Sequence, residues 1–128
     1  MVTKITNGVK VIVEIEYQIE YSNPNQCQYF FTYQITIENE SKHSIQLLDR
    51  HWFIFDAGYL PREVVGKGVL GKQPIIASRQ RYSYVSGCVI KSGFGKMVGT
   101  YKMLSKIDGS TFIVNIPEFN LIHPLRLN

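Results

Sequence analysis

Residues 9–19 read VKVIVEIEYQI, a run in which apolar and polar side chains largely alternate. Every odd position carries Val, Ile or Tyr, and the even positions carry Lys, Glu or Gln except at Ile12. Because successive side chains of an extended strand point to opposite sides, a period of two predicts one buried face and one hydrated face. Residues 29–37, YFFTYQITI, repeat the pattern after a polar break at Asn23-Pro24. These two segments predict neighbouring antiparallel strands.

The rest of the chain contains more short strand patterns separated by turn residues. Residues 81–86, 96–104 and 111–116 predict strands, and Val64-Val65 predicts a short one. Asp108-Gly109 is a strong hairpin signal between the last two segments. No window has helical periodicity, and residues 117–128 are expected to be an irregular tail. The pattern predicts one all-β domain, a sandwich or small barrel, over residues 1–128.

Residues 45–55 differ because they are apolar on both faces of an extended strand. Alternation places Leu48, Trp52 and Ile54 on one face, and Leu47, Phe53 and Phe55 on the other. A strand of this kind must be covered on both faces. We expect the second face to be covered either by the C-terminal tail or by another protein, which includes a second copy of the chain.

The charge of the chain bears on whether the protein binds anions or nucleic acids. The 128 residues carry a net charge of +4, with four basic and seven acidic residues before residue 61 and ten basic and three acidic residues after it. This split predicts either an anion-binding face or, if strands of both halves interleave, a mixed surface. No nucleic-acid-binding signature accompanies the modest charge, so nucleic acid is not an expected partner.

Nothing in the sequence predicts export or membrane insertion. No basic segment followed by an apolar stretch begins the chain, and no apolar run approaches the ~20 residues of a membrane helix. A cytoplasmic location is therefore expected, with Cys27 and Cys88 both reduced.

A glycine-rich segment, GKGVLGKQP at residues 66–74, matches the spacing Gly-x-Gly-x-x-Gly. A dinucleotide site would need a helix directly after the glycines, and Pro74 with no helical pattern excludes it. Consecutive backbone amides of such a loop can still bind an anion. The candidate ligand is a phosphate-bearing small molecule, and the candidate residues are Gly66, Lys67, Gly68, Gly71 and Lys72. The alternative is that the glycines only permit positive φ in a tight loop.

The densest polar and aromatic cluster is the run from Asp49 to Trp52. Alternation places Arg50 with Trp52 on one face and Asp49 with His51 on the other. Trp52 is expected in the core, and Arg50, His51 and Trp52 are the candidate interaction residues because Arg and Trp are enriched at protein-binding hot spots. A metal site would need three or four ligands, and no further pair at ligand spacing accompanies Asp49 and His51. No metal or other cofactor is predicted.

The sequence offers no convincing catalytic nucleophile. Ser86-Gly87-Cys88 is not a nucleophile elbow, since Tyr84 occupies the first glycine position. Cys88 is expected to be a small buried apolar residue, with a thiol activated by a histidine as the alternative. No catalytic residue is predicted.

Five blocks, in this order, resemble the ApaG family and span nearly the whole chain: LLDRHW at 47–52, GKGVLGKQP at 66–74, YVSGC at 84–88, GKMVGTYKM at 95–103 and IPEF at 116–119. One departure is residues 77–80, ASRQ, where the family usually has Pro-Gly. The resemblance implies an immunoglobulin-like or fibronectin type III-like sandwich of about seven or eight antiparallel strands, and no established catalytic activity. Related eukaryotic domains are fused to other proteins and are usually regarded as protein-binding, so a protein partner, or a homodimer, is expected here.

Overall fold

The computed structural model describes residues 1–124, and within them the chain forms nine strands and two short 3₁₀ turns, Ile19–Tyr21 and Pro24–Gln26. The strands are β1 (Val2–Thr6), β2 (Val9–Tyr17), β3 (Tyr29–Asn39), β4 (Ile45–Asp56), β5 (Arg62–Lys67), β6 (Ile75–Ile76), β7 (Arg81–Ile90), β8 (Phe94–Ser105) and β9 (Thr111–Ile122). The all-β prediction is confirmed. In the described part of the chain, no helix is long and apolar enough to span a membrane.

Two antiparallel sheets pack face to face. The first sheet has the order β1-β2-β3-β7, and the second has the order β5-β4-β8-β9, with β6 also pairing with β4. Strands β1 and β9 lie against each other at one side of the sandwich. Each sheet contains strands from both halves of the sequence, so the acidic and basic halves interleave and the charge split does not divide the surface in two.

The first strand, β1, lies outside the segments that alternation predicted. It is joined to β2 by Asn7-Gly8, whose φ angles of 51° and 77° are both left-handed. Two consecutive positive φ values are what a tight two-residue hairpin requires, and Asn-Gly is the pair that adopts them at least cost. At the other end of the chain, the hairpin predicted at Asp108-Gly109 is confirmed between β8 and β9.

A β-bulge in β4 changes which residues face the core. The register with β8 shifts between Leu47 and Asp49, so the inner face carries Ile45 and Leu47 before the bulge and Trp52 and Ile54 after it. The prediction that Leu47 shares a face with Phe53 and Phe55 is therefore wrong. An extra residue in a strand reverses the alternation from that point onward.

The predicted irregular tail is also corrected, because β9 continues to Ile122. Pro117 lies where the β8–β9 register shifts, and a residue without an N–H is tolerated in a strand at such a bulge. Beyond it Phe119 and Leu121 are buried in the core rather than laid over the outside of β4. Leu125, also expected in the tail packing, lies outside the described residues.

Candidate functional site

The outer face of the second sheet carries a contiguous apolar surface, which we call the outer patch: Phe53 and Phe55 of β4, Val98 of β8, and Pro61 before β5. Phe53 is 47% exposed and Phe55 42% exposed. Phe53 lies directly opposite Val98 in the ladder, and all four residues line one groove of about 240 Å³. In residues 1–124 no segment buries these rings, so the second apolar face of β4 is open.

Polar and charged side chains around the outer patch contact one another. His51 Nε2 lies 2.5 Å from Glu63 Oε1, and the His51 ring stacks on Phe53 with centroids 4.5 Å apart. Lys96 Nζ lies 3.5 Å from Glu118 Oε1 and 5.7 Å from the centre of the Phe55 ring. An apolar centre within a polar rim is the usual anatomy of a protein-binding surface.

A cavity of about 490 Å³ opens between the two sheets, beside the edge strands β5 and β7. We call it the inter-sheet cavity. Its polar lining includes Arg50, Arg62, Tyr33, Tyr84 and Ser86, and its apolar lining includes Trp52, Ile54 and Met97. Arg50 and Trp52 therefore share the inner face, as alternation predicted, although Trp52 is only 3% exposed.

Arg50 lies flat against β5 because Gly66 has no side chain. A Cβ at Gly66 would lie 2.8 Å from Cζ and from both terminal nitrogens of the guanidinium. Nη1 donates to the carbonyls of Lys67 and Gly68, both at 3.0 Å. These two bonds anchor the turn after β5, and Arg50 also lines the cavity.

Arg62 bridges the mouth of the cavity from β5 to β7. Its Nη2 donates to the Val89 carbonyl at 2.7 Å and lies 3.7 Å from Cys88 Sγ. Burial raises the pKa of the Cys88 thiol, and the neighbouring Arg62 charge offsets part of that rise. Among residues 1–124 no histidine hydrogen-bonds to this sulfur, so the geometry offers no imidazole to activate the thiol.

Hydroxyl groups of buried tyrosines lie between the two sheets. The hydroxyls of Tyr84 and Tyr101 hydrogen-bond to each other inside the core. Burial raises the pKa of Tyr84 and of Tyr101 well above the ordinary range, so both hydroxyls remain protonated. Tyr33 also has a pKa raised by burial, with a hydrogen bond from Ser86 acting in the opposite direction.

The glycine-rich loop uses its own amides for backbone hydrogen bonds. The Gly68 N–H donates to Leu48 O at 2.8 Å, and Val69 and Lys72 exchange N–H to carbonyl bonds at 2.8 and 2.9 Å. Gly68 has a φ of +58°, and a Cβ there would lie 2.0 Å from Lys72 O. Lys67 and Lys72 are exposed. Anion binding by this loop remains a prediction, and these three amides are already occupied.

Several residues of the two surfaces were not among the sequence candidates. Phe53 was signalled only by the doubly apolar pattern of its strand, and His51 is the one candidate interaction residue that borders the outer patch. Sequence reasoning missed Arg62, Tyr33 and Ser86 because the pairing of β3 with β7 and the packing of the two sheets, not a local pattern, bring them to one cavity.

No three His, Cys, Asp or Glu side chains of residues 1–124 come close enough to hold a metal ion. Asp49 and His51 alternate along β4 with the inward-facing Arg50 and Trp52, which places them on the outer face. On that face His51 contacts Glu63.

Comparisons with known proteins agree with this architecture. Residues 19–105 match the family model described as ApaG domain, DUF525. Protein ApaG of Afipia carboxidovorans is 41% identical over 124 residues, covering 97% of this chain and 95% of that protein, and Protein ApaG of Brucella abortus is 40% identical over the same coverage. A crystal structure of an ApaA protein from Bordetella pertussis superposes with a TM-score of 0.86 at 40% identity, covering 91% of this chain and 94% of that one. The sandwich is thus the fibronectin type III-like fold of these proteins, and the chain belongs to the ApaG family.

Proposed function

We propose that this chain is a non-enzymatic binding module that holds a partner protein on the outer patch. The observation that carries the proposal is the exposure of Phe53 and Phe55 side by side on the face of a regular sheet. Contiguous exposed apolar surface with a polar rim is typical of protein interaction sites. Aromatic side chains also contribute the largest share of binding energy at protein interfaces.

The shape and charge of the patch favour one kind of partner. A groove of about 240 Å³ suits a protruding apolar side chain better than a flat surface. Because Glu63 contacts His51 and Glu118 pairs with Lys96, the rim presents no free carboxylate to a strongly basic segment. The proposed occupant is therefore a segment of a different protein that presents one or two neutral apolar side chains.

The test compares two pairs of substitutions on opposite sheets. Phe53→Thr with Phe55→Thr removes the rings of the outer patch, and Ile5→Thr with Val85→Thr removes two exposed apolar side chains of the first sheet. A photo-crosslinking residue at position 98 traps the partner from a lysate of the source cells. We expect the crosslinked band in the wild type and in the control pair, and its loss in the Phe53/Phe55 pair.

Two results would contradict the proposal. If the band survives the loss of both rings, the partner does not bind at the outer patch. If the purified wild type sediments as a dimer that the Phe53/Phe55 pair converts to a monomer, the occupant is a second copy of the chain. Unfolding midpoints of all variants, measured first, confirm that each one is folded.

A further inference from the structure

The inter-sheet cavity contains two guanidinium groups that no carboxylate neutralises in the described chain. The ion pairs within residues 1–124 join Glu63 to His51, Glu38 to Arg81 and Glu118 to Lys96, and neither Arg50 nor Arg62 takes part. Both instead donate to backbone carbonyls. Guanidinium groups hold five N–H donors each, so both retain donors that their carbonyl contacts do not use.

The remaining lining of the cavity is suited to the apolar part of a ligand. Trp52, Ile54 and Met97 form an apolar wall, and Ser86 with Tyr33 adds hydroxyl groups near it. A volume of about 490 Å³ lies in the range of small-molecule sites, which are mostly apolar with a few placed polar groups. Two unneutralised cations beside an apolar wall are complementary to a molecule that has one anionic end.

We infer that the inter-sheet cavity binds a small organic anion, with a carboxylate or phosphate group held by Arg50 and Arg62 and an apolar body against Trp52. Arginine suits this role because its planar fork matches the oxygens of either group and forms charge-assisted hydrogen bonds. Arg50 is already oriented by its two carbonyl contacts, so little side-chain entropy is lost when the ligand binds. Arg62 joins β5 to β7 at the mouth of the cavity, where the ligand enters.

The inter-sheet cavity and the outer patch lie on opposite faces of β4, although Arg62 and Ile54 line both, and residues 69–71 of the glycine-rich loop also line the cavity. Trp52 and Phe53 are consecutive residues of β4, so their side chains lie on opposite faces of the second sheet. The two binding events are therefore testable one at a time with substitutions on one face of the strand.

The experiment titrates the full chain with phenylacetate, its neutral analogue phenylacetamide, and phenyl phosphate. Trp52 is the sole tryptophan, so its fluorescence reports on the cavity wall, and arginine Nε–Hε NMR signals report on the guanidinium groups. Arg62→Gln removes the charge at the mouth, and Arg50→Gln removes the anchored one. Arg81→Gln, whose partner is Glu38 3.9 Å away on the first sheet, is the matched control, and Phe53→Thr controls for the outer patch.

We expect at least one of the two anions to quench Trp52, and to bind at least tenfold more tightly than phenylacetamide. We expect Arg62→Gln to weaken that anion at least tenfold, and Arg81→Gln and Phe53→Thr to leave it unchanged. The comparison of phenylacetate with phenyl phosphate assigns the preferred anionic group. Equal binding of acid and amide, unchanged affinity in folded Arg62→Gln, or no response to either anion at 10 mM would each overturn the inference. Should Arg50→Gln not fold, Arg62→Gln alone decides the result.

Discussion

Asp56, the last residue of β4, holds the β7–β8 turn in place, and its replacement tests how the hairpin is attached to the sandwich. Its Oδ2 accepts the Lys91 N–H at 2.7 Å and its Oδ1 accepts the Ser92 N–H at 3.0 Å. The residue is only 3% exposed. Hydrogen bonds to a charged acceptor contribute about 1.5–3 kcal/mol each to stability.

Asp56→Ala removes both acceptors, and Asp56→Asn keeps a single oxygen while placing an NH₂ group against the other amide. Because Lys91 and Ser92 lie in a surface turn that water reaches, the lower bound applies, which predicts a loss of about 3 kcal/mol for Asp56→Ala. Asp56→Asn should cost roughly half as much, about 1.5 kcal/mol. For a chain of this size, about 3 kcal/mol lowers the melting temperature by roughly 10 °C.

Urea denaturation followed by Trp52 fluorescence measures both losses. The control is Asp108→Asn, because Asp108 also accepts two hydrogen bonds in a turn, from the N–H and the hydroxyl of Ser110, but on the exposed surface. Its effect should be much the smallest of the three. A loss below about 1 kcal/mol for Asp56→Ala, or equal losses for the Ala and Asn variants, would refute the assignment of two separate hydrogen bonds.

Three further predictions concern the loop, the core hydroxyls and the thiols. Gly68→Ala should destabilise the chain by more than about 2 kcal/mol, since its Cβ would lie 2.0 Å from Lys72 O. Gly71→Ala, with open space and a φ of +76°, should cost only about 1 kcal/mol in the same urea experiment, and equal costs would contradict the packing. Tyr101→Phe should cost about 1 kcal/mol in thermal unfolding because the Tyr84 hydroxyl loses its partner, and an unchanged midpoint would argue against that bond. Iodoacetamide at pH 8 should modify exposed Cys27 well before buried Cys88, whose raised pKa lowers its thiolate fraction. Peptide mass mapping of the native protein checks the order, and faster labelling of Cys88 would contradict it.

The outer patch shows how much of a candidate binding surface strand alternation can predict. Phe53 and Phe55 were identified as a second apolar face from the sequence alone, and the structure leaves that face open. Alternation failed for Leu47 and for the residues after Pro117, where a bulge adds one residue to the strand. A bulge depends on the partner strand, so the local pattern cannot show it.

What the sequence determined by itself was the all-β class, most of the strands and the hairpin at Asp108-Gly109, because side-chain period and turn chemistry are local properties. The resemblance to the ApaG family rested instead on five blocks of sequence. Only the tertiary structure decided that Arg62 of β5 reaches Val89 of β7, and that both line one cavity with Arg50. The face-to-face packing of the two sheets brings these residues together. That packing depends on the whole sandwich, and no short segment encodes it.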